Sequence, residues 1–405
     1  MNAINNWRRC TDVRRFQIFV SDLSATGVVR NAIAIANEAA RSGFQVRLLT
    51  CNSEGVLQGP VGPGVALVKL NDAADAGRSR RKQMQRALLV YRRHSRDWRP
   101  DIMMSAGNHG HLLSTLAWVG LPGFKILRFS NDLTHGSPSA LTRIWRAARF
   151  RLMAGLADQL VFVSRAQGRH PLLARQLAAG KAVVIPNGVD VEFVRQEAAR
   201  GCDHPWVHDR SIPIVLAVGR HVRQKNFSAL LKAFAEARAV RPMRLIYLGG
   251  GKQGEIARLR RLSEELQVAG DVDFVAPSDN PFPYMAAAAT LVLPSLWEGS
   301  ANVLLEAMAC GTPVIASRTA GDAEHVLRSG RHGILVDPSN NGELADALLR
   351  QLGGNPVRPG LPAAELSRNA AMIHYLRLFE AVTAKPGEAQ PWPFETRGAA
   401  RAAQA

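Results

Sequence analysis

Strand-length apolar runs alternate with amphipathic helical segments along this chain, and the alternation runs twice. The first series opens with "FQIFV" (16–20), passes through "VVRNAIAIANEAARSG", whose apolar residues recur at helical spacing up to Gly43, and enters "FQVRLLT". Strand signatures follow at Asp101–Ser105, Lys125–Phe129, Gln159–Ser164 and Ala182–Pro186, with helical stretches as crossovers. Such alternation specifies a parallel sheet covered by helices on both faces. "PNGVDVEF" breaks the pattern, and the polar stretch after it carries Gly and Pro but little apolar periodicity. A second series starts afresh at "IVLAVG" (214–219) and continues through strand runs at 244–249, 272–275, 291–294, 313–317 and 333–336. The reading is therefore an α/β chain of two doubly wound units. Its expected parts are an N-terminal domain at 14–195, a linker at 196–212, and a second domain at 213–360. A C-terminal helix within 361–384 is a candidate for packing back on the first domain, and 385–405 reads as a disordered tail. In such sheets ligands sit at the carboxyl ends of the strands, and two units facing one another create a cleft.

Composition fits this reading, because 405 residues with 47% hydrophobic character suit two cores. The longest apolar runs are strand-length, far short of the roughly 20 residues a spanning helix needs. The first twenty residues are basic but lack an apolar h-region, and Cys10, Cys51, Cys202 and Cys310 form no Cys-x-x-Cys pair. Together these lead to the expectation of a reduced, cytoplasmic protein. Lys and Arg number 51 against 33 Asp and Glu, a formal charge of +18. A field of that sign attracts polyanions: nucleic acid, an anionic membrane face or phosphorylated small molecules. The excess is dense at Arg78–Arg99 and Arg143–Leu152, where apolar residues interleave with arginine. Docking on an anionic membrane surface and a plain solvated basic face both fit such segments. No zinc-finger or RNA-binding aromatic signature accompanies them, so nucleic acid is not expected.

Chemistry concentrates in the second series. A strand ending at Gly219 delivers Arg220, and Lys225 follows at the mouth of the next helix. Two cations at a strand end and helix N-terminus make a diphosphate cradle, against a reading as mere surface cations. Gly249, Gly251 and Gly254 satisfy G-x-G-x-x-G between a strand and a helix, which lets backbone approach a nucleotide. An NAD fingerprint, however, usually occupies the first βα turn of its domain. In "SLWEGSANVLLEAMACGTPVIAS" (295–317) Ser300 is a candidate N-cap for a helix over 301–309. If that helix start holds a phosphate, Glu306, one turn in, reaches a ribose diol, whose O–H donors suit a carboxylate. Glu298, in the loop before the helix, then lies near the group being transferred.

Two further patterns are weaker. Asp271 and Asp273 form D-x-D but lead straight into a strand without neighbouring ligands, so no metal is expected there. His109 and His111 in "GNHGH" suit a cleft-lining or solvated pair better than a metal site.

The motifs "GRHVRQKNFSALLKAF", "LGGGKQG", "DFVA", "LVLPSLWEGSANVLLEAMACGTPVIAS" and "GILVDP", in that order, resemble the C-terminal half of retaining GT-B glycosyltransferases of glycosyltransferase family 4. Glu298 and Glu306 match that family's E-x7-E spacing. "SATGVVRNAIAIANEAARSGFQVRLLT", "RPDIMMSAGN", "ADQLVFVS" and "VIPNGVD" are similar to its N-terminal landmarks, so the resemblance covers roughly residues 15 to 350. It implies two Rossmann-like domains across a cleft, with Arg220 and Lys225 on the donor diphosphate, Glu306 on the ribose and Glu298 on the sugar. It also implies backbone N–H groups of Ser300, Asn302, Val303 and Leu304 near the phosphates, and Gly27, in the loop after the first strand, approaching them. Gly27 follows Thr26 where the family commonly has a Gly-Gly pair. Many members carry a histidine after the strand corresponding to "KILRF"; here the chain reads "RFSNDLTH", which leaves Asn131, Asp132 and His135 as the candidates for that place.

The resulting expectation is a metal-independent enzyme that moves a sugar from a nucleotide-diphosphate sugar to an acceptor with retention, the leaving diphosphate helping to deprotonate the acceptor. Glu298, Asn131 and His135 are the catalytic candidates, and His109 and Asp132 the acceptor-side ones. The acceptor is expected to be lipid-linked or a glycan, as in bacterial surface polysaccharide assembly, with no cofactor. The rival readings are an NAD-dependent oxidoreductase built on the glycine loop and a non-catalytic polyanion- or membrane-binding protein.

Overall fold

The computed structural model describes residues 14–24, 26–51, 61–71, 80–131, 139–209, 211–354 and 356–384. The chain forms two compact units, Met1–Pro186 with Ala371–Ala405, and Asn187–Ala370. In the first, β1 (Arg15–Val20), α1 (Gly27–Arg41), β2 (Gln45–Thr50), β3 (Val65–Lys69), α2 (Arg80–Trp98), β4 (Ile102–Ser105) and α3 (His111–Ala117) lead into β5 (Phe124–Phe129). There follow α4 (Ala140–Leu156), β6 (Gln159–Phe162), the short α5 (Arg165–Gly168) and α6 (Ala174–Ala178), and β7 (Ala182–Val184). The strands run parallel in the order β3-β2-β1-β4-β5-β6-β7. The edge strand β3, "VALVK", is an addition to the expected set.

α1 shows why these segments form. Thr26 caps it by accepting from Val29 N at 3.4 Å, and Val29, Ala32, Ile33, Ala36 and Ala39 turn one face to the sheet. The helix stops at Gly43, which takes the left-handed conformation (φ 87°) that a side chain resists.

The second unit holds α7 (Val191–Ala198), α8 (Pro205–His208), β8 (Ile214–Val218), α9 (Phe227–Val240), β9 (Arg244–Leu248), α10 (Gln253–Glu265) and β10 (Val272–Val275). It continues with α11 (Phe282–Ala287), β11 (Thr290–Leu293), α12 (Asn302–Ala309), β12 (Val314–Ser317), α13 (Ala323–Val326), β13 (Ile334–Val336) and α14 (Asn341–Gln351). Its parallel sheet has the order β10-β9-β8-β11-β12-β13. One face is covered by α7, α11 and α12, and the other by α9, α10 and α14.

Two expected boundaries need correction. The chain divides at Pro186, not at 195, because Val189 and Val194 are buried in the core of the second unit. The stretch 196–212 is not a free linker. Pro205 starts α8, His204 caps it, and Val207 enters the same core. The last helix, α15 (Arg368–Thr383), buries Met372, Tyr375, Leu378 and Phe379 in the core of the first unit, against α1 and the sheet. Arg128 of β5, fully buried, donates from Nε to the Tyr375 hydroxyl at 2.8 Å. Residues 385–405 lie outside the described residues.

Candidate active site

In the second sheet the strand order reverses between β8 and β11, and a crevice for ligands opens beyond the carboxyl ends of strands at such a point. Two loops leave there side by side. From β8 come Gly219, Arg220, a short turn Arg223–Lys225, and Asn226 in the left-handed region. From β11 comes Pro294 to Glu298. The loops are stitched by Leu296 N donating to Gln224 O at 2.9 Å and Gln224 Nε2 donating to Trp297 O at 2.9 Å.

That stitching carries the charges. Lys225 Nζ lies 2.7 Å from Glu298 Oε1, and both side chains are mostly shielded, 15% and 11% exposed. Ser295 Oγ donates to the same carboxylate oxygen at 2.7 Å, and Gln224 Nε2 to the other at 3.3 Å. Ser295 is held in turn through its carbonyl, which accepts from Ser317 Oγ and from Thr319 Oγ1. Glu298 is thus aimed by three partners from two loops. Arg220 stands exposed beside them, with no ion pair among the described residues. Gln224 and Ser295 were not singled out from the sequence, since a lone Gln and a lone Ser in a loop carry no spacing signal.

The glycines bring two loops together. A Cβ on Gly249 (φ 149°) would sit 2.1 Å from Gly219 O, and one on Gly251 would sit 2.6 Å from His221 Cβ. They let the β9 loop lie against the β8 loop. Gly219 itself (φ 145°) leaves room for the Lys225 stalk, whose Cε would be 2.8 Å from an added Cβ. Gly254 lies inside α10 with open space around it.

Helix α12 begins at Asn302, and Ser300 is not its cap. Ala301 occupies the cap position without a side-chain bond, while Ser300 Oγ and Asn187 Nδ2 both donate to Asn302 Oδ1, at 3.1 and 2.9 Å. The asparagine carboxamide competes successfully for the Ser300 hydroxyl. Leu304 N is also not available to a ligand, because it donates to Ala301 O at 3.0 Å. The N–H groups of Asn302 and Val303 remain at the open end, where a helix favours an anion. Glu306 lies one turn further in, half-buried between the buried Leu305 and Ala307. Burial and the Glu306 carboxylate push the Cys310 thiol up to about 12.

The D-x-D residues are engaged elsewhere: Asp271 pairs with Arg238 at 2.9 Å, and Asp273 accepts from His204 Nε2 at 3.0 Å. No group of three or more His, Cys, Asp or Glu that could hold a metal occurs among the described residues.

In the first unit the order reverses between β1 and β4. Gly27 is the first residue of α1 rather than part of the preceding loop, because Thr26 caps the helix directly before it. Asn108 ties the loops after β4 and β5, donating to Asn131 O at 3.2 Å and accepting from Ser130 N at 2.8 Å. His109 is exposed in the turn before α3, whereas His111 is fully buried with Nδ1 2.8 Å from Ser105 Oγ. The two histidines do not form a pair. Burial, and then the Arg128 guanidinium, lower the His111 pKa to about 3. Asp132 and His135 lie outside the described residues.

Comparison with known proteins gives the family and the fold. The model for "Glycosyltransferase Family 4" matches residues 25–193, and that for "Glycosyl transferases group 1" matches residues 212–353. The chain is 32% identical over 173 residues to the lipopolysaccharide core biosynthesis glycosyltransferase LpsE of Rhizobium meliloti, covering 41% of this chain and 49% of the relative. It is 27% identical over 178 residues to an N-acetylgalactosamine-N,N'-diacetylbacillosaminyl-diphospho-undecaprenol 4-alpha-N-acetylgalactosaminyltransferase of Campylobacter jejuni, covering 44% and 46%. The chain therefore spans about half the length of the curated relatives it matches. Among solved structures, sucrose-phosphate synthase from Thermosynechococcus elongatus superposes with a TM-score of 0.74 at 21% identity, covering 92% of this chain and 99% of that one. Anabaena HepE in complex with UDP-glucose gives 0.67 at 18% identity, covering 82% and 88%. The fold is GT-B, and the chain belongs to the group 1, family 4 glycosyltransferases.

Proposed function

We propose that this protein transfers a sugar, with retention of configuration, from a nucleotide-diphosphate sugar to a lipid-linked acceptor in surface polysaccharide or glycolipid synthesis. The observation that carries the reading is the Lys225–Glu298 pair at the β8/β11 reversal, with the open start of α12 and Glu306 following it. Arg220, Lys225 and the first N–H groups of α12 supply positive charge for the diphosphate as it leaves. Glu306 is placed to accept from ribose hydroxyls, and Glu298 is oriented for the sugar. In this reading the cations of the chain neutralise the diphosphate, and transfer needs no metal. The Anabaena neighbour's complex with UDP-glucose supports a nucleotide-sugar donor. The diphospho-undecaprenol in the Campylobacter relative's name supports a lipid-linked acceptor.

Such an acceptor would be met at a membrane surface, by a peripheral protein on the cytoplasmic side. No helix among the described residues is long and apolar enough to cross a membrane. An oxidoreductase reading fits less well. The G-x-G-x-x-G loop follows β9 rather than β8, and its third glycine packs against nothing.

The test is calorimetric titration with UDP, GDP, ADP and NAD, on the wild type and on Glu306→Ala. Binding of one nucleoside diphosphate, weakened about tenfold or more in the variant, is the expected result. NAD binding alone, or diphosphate binding indifferent to Glu306, would overturn the assignment.

A further inference from the structure

The helices α2, α3 and α4 cover one face of the first sheet, through Ala87 and Tyr91, Leu113 and Trp118, and Phe150, Met153 and Ala154. The outer surface of α4 is apolar. On α4 the exposed side chains Leu141, Ile144, Trp145, Leu152 and Leu156 are 78%, 66%, 68%, 55% and 40% exposed. Their spacing puts them on one stripe, opposite the buried Phe150, Met153 and Ala154. Isolated exposed apolar residues are ordinary on a protein surface, but a continuous stripe of five on one helix marks an interaction face.

We propose that this stripe docks on an anionic lipid surface, with α4 lying in the plane of the interface. The charges flanking it choose the occupant. Arg149 and Arg151, both exposed, follow the stripe at about 80° to either side of its centre at 100° per residue, and Arg143 is exposed at the helix start. No acidic residue occurs anywhere in Ala140–Leu156. A helix with apolar and aromatic residues on one side and arginine at its edges sinks its apolar face about 5–10 Å into the headgroup boundary. Each arginine near an anionic leaflet adds about 1 kcal/mol of attraction. The preceding helices add Leu116 on α3, at 44% exposure, and Arg93 and Arg96 on α2, whose side chains are 80% and 67% exposed and share Asp97 as their counter-charge, leaving one net positive charge there. The proposal rests on the membrane reading above and names the face and the residues that make it.

The experiment uses the full chain and vesicles of phosphatidylcholine with or without phosphatidylglycerol, at low and high salt. Binding is followed by sedimentation and by quenching of tryptophan emission with lipids brominated on the acyl chain. The expected result is binding to the anionic vesicles only, weakened by salt, with quenching that disappears in Trp145→Phe. Trp145→Ser and Ile144→Ser should each lower vesicle affinity about tenfold. Both positions are exposed, so the variants should fold as the parent does, and a UDP titration on each reports donor binding separately. Loss of UDP binding in the parent would sink the transferase reading while leaving the lipid result to stand or fall alone. No anionic-vesicle binding, binding unchanged in Trp145→Ser, or a salt-independent self-association that Trp145→Ser abolishes would overturn the proposal, the last by assigning the stripe to a second copy of the chain.

Discussion

Lys225 Nζ and Glu298 Oε1 lie 2.7 Å apart, 73 residues from one another in sequence, and each is the other's counter-charge in a largely shielded site. Removing one partner of a buried pair costs about 3–5 kcal/mol, because the remaining charge has lost its compensation. A bound diphosphate changes that balance by bringing its own negative charge to Lys225. Glu298→Gln should therefore lower the melting temperature of the free protein, and saturating UDP should restore more stability to it than to the wild type. Lys225→Met should also be destabilised but should recover little with UDP. Thermal unfolding of both variants with and without UDP checks this, and equal recovery in the two would show that Lys225 does not meet the diphosphate.

Cys310 sits one turn after Glu306, with its Sγ 3.9 Å from Phe282 O and its pKa pushed up to about 12, by burial first and the carboxylate second. The thiolate is the reactive form, so at pH 8 its population is on the order of 1 in 10,000. Cys310 should label far more slowly than a free thiol of ordinary pKa. Glu306→Gln should speed labelling only modestly, since burial remains. Time-resolved alkylation with peptide mapping measures both rates.

His111 gives the fold a pH dependence of known sign. Its folded pKa, about 3, is below the ordinary 6.5, so the unfolded chain binds the proton more readily through that interval. Stability contributed by the neutral imidazole is intact above pH 6.5 and is lost as pH falls toward about 3. At 1.36 kcal/mol per unit, the full loss is on the order of 5 kcal/mol. Denaturant unfolding of wild type and His111→Asn at several pH values checks this. The difference between the two should shrink as the solution is acidified, because the variant has no proton to take up.

The strands were legible because their signal is local. Apolar runs bounded by Gly and Pro specify strands, and a helix such as "NVLLEAMA" with a single carboxylate draws attention to Glu306. What failed was settled by side-chain competition. Ser300 looks like a cap until the Asn302 carboxamide takes its hydroxyl, and no propensity encodes that choice. The boundary at 195 failed because a short helix with only Val194 fully buried is too sparse to announce which core it joins. Ser295 and Gln224 became visible only when the β8/β11 reversal brought loops over 70 residues apart together. The edge strand β3 has an apolar run of its own, Val65–Val68, but is only partly buried, and that run was passed over in the sequence.

The glycine loop separates the nucleotide-sugar and dinucleotide readings through two substitutions of opposite sign. Gly249 holds φ 149° with Gly219 O where a Cβ would be, at 2.1 Å, so Gly249→Ala must shift backbone in both loops. The cost should be about 3 kcal/mol or more, and the displaced β8 loop should carry Arg220 and Lys225 with it, weakening diphosphate binding. Gly254 is the second residue of α10, with open space around it, so Gly254→Ala should stabilise the helix by less than the ~0.5–1 kcal/mol of an interior position and leave UDP binding unchanged. A dinucleotide fingerprint would need its third glycine for close helix–strand packing and would be damaged by that change. Chemical denaturation and UDP titration of the two variants decide the matter. A destabilised Gly254→Ala would bring the dinucleotide reading back, and a Gly249→Ala protein with normal stability and normal UDP affinity would show that the two loops are not packed as described.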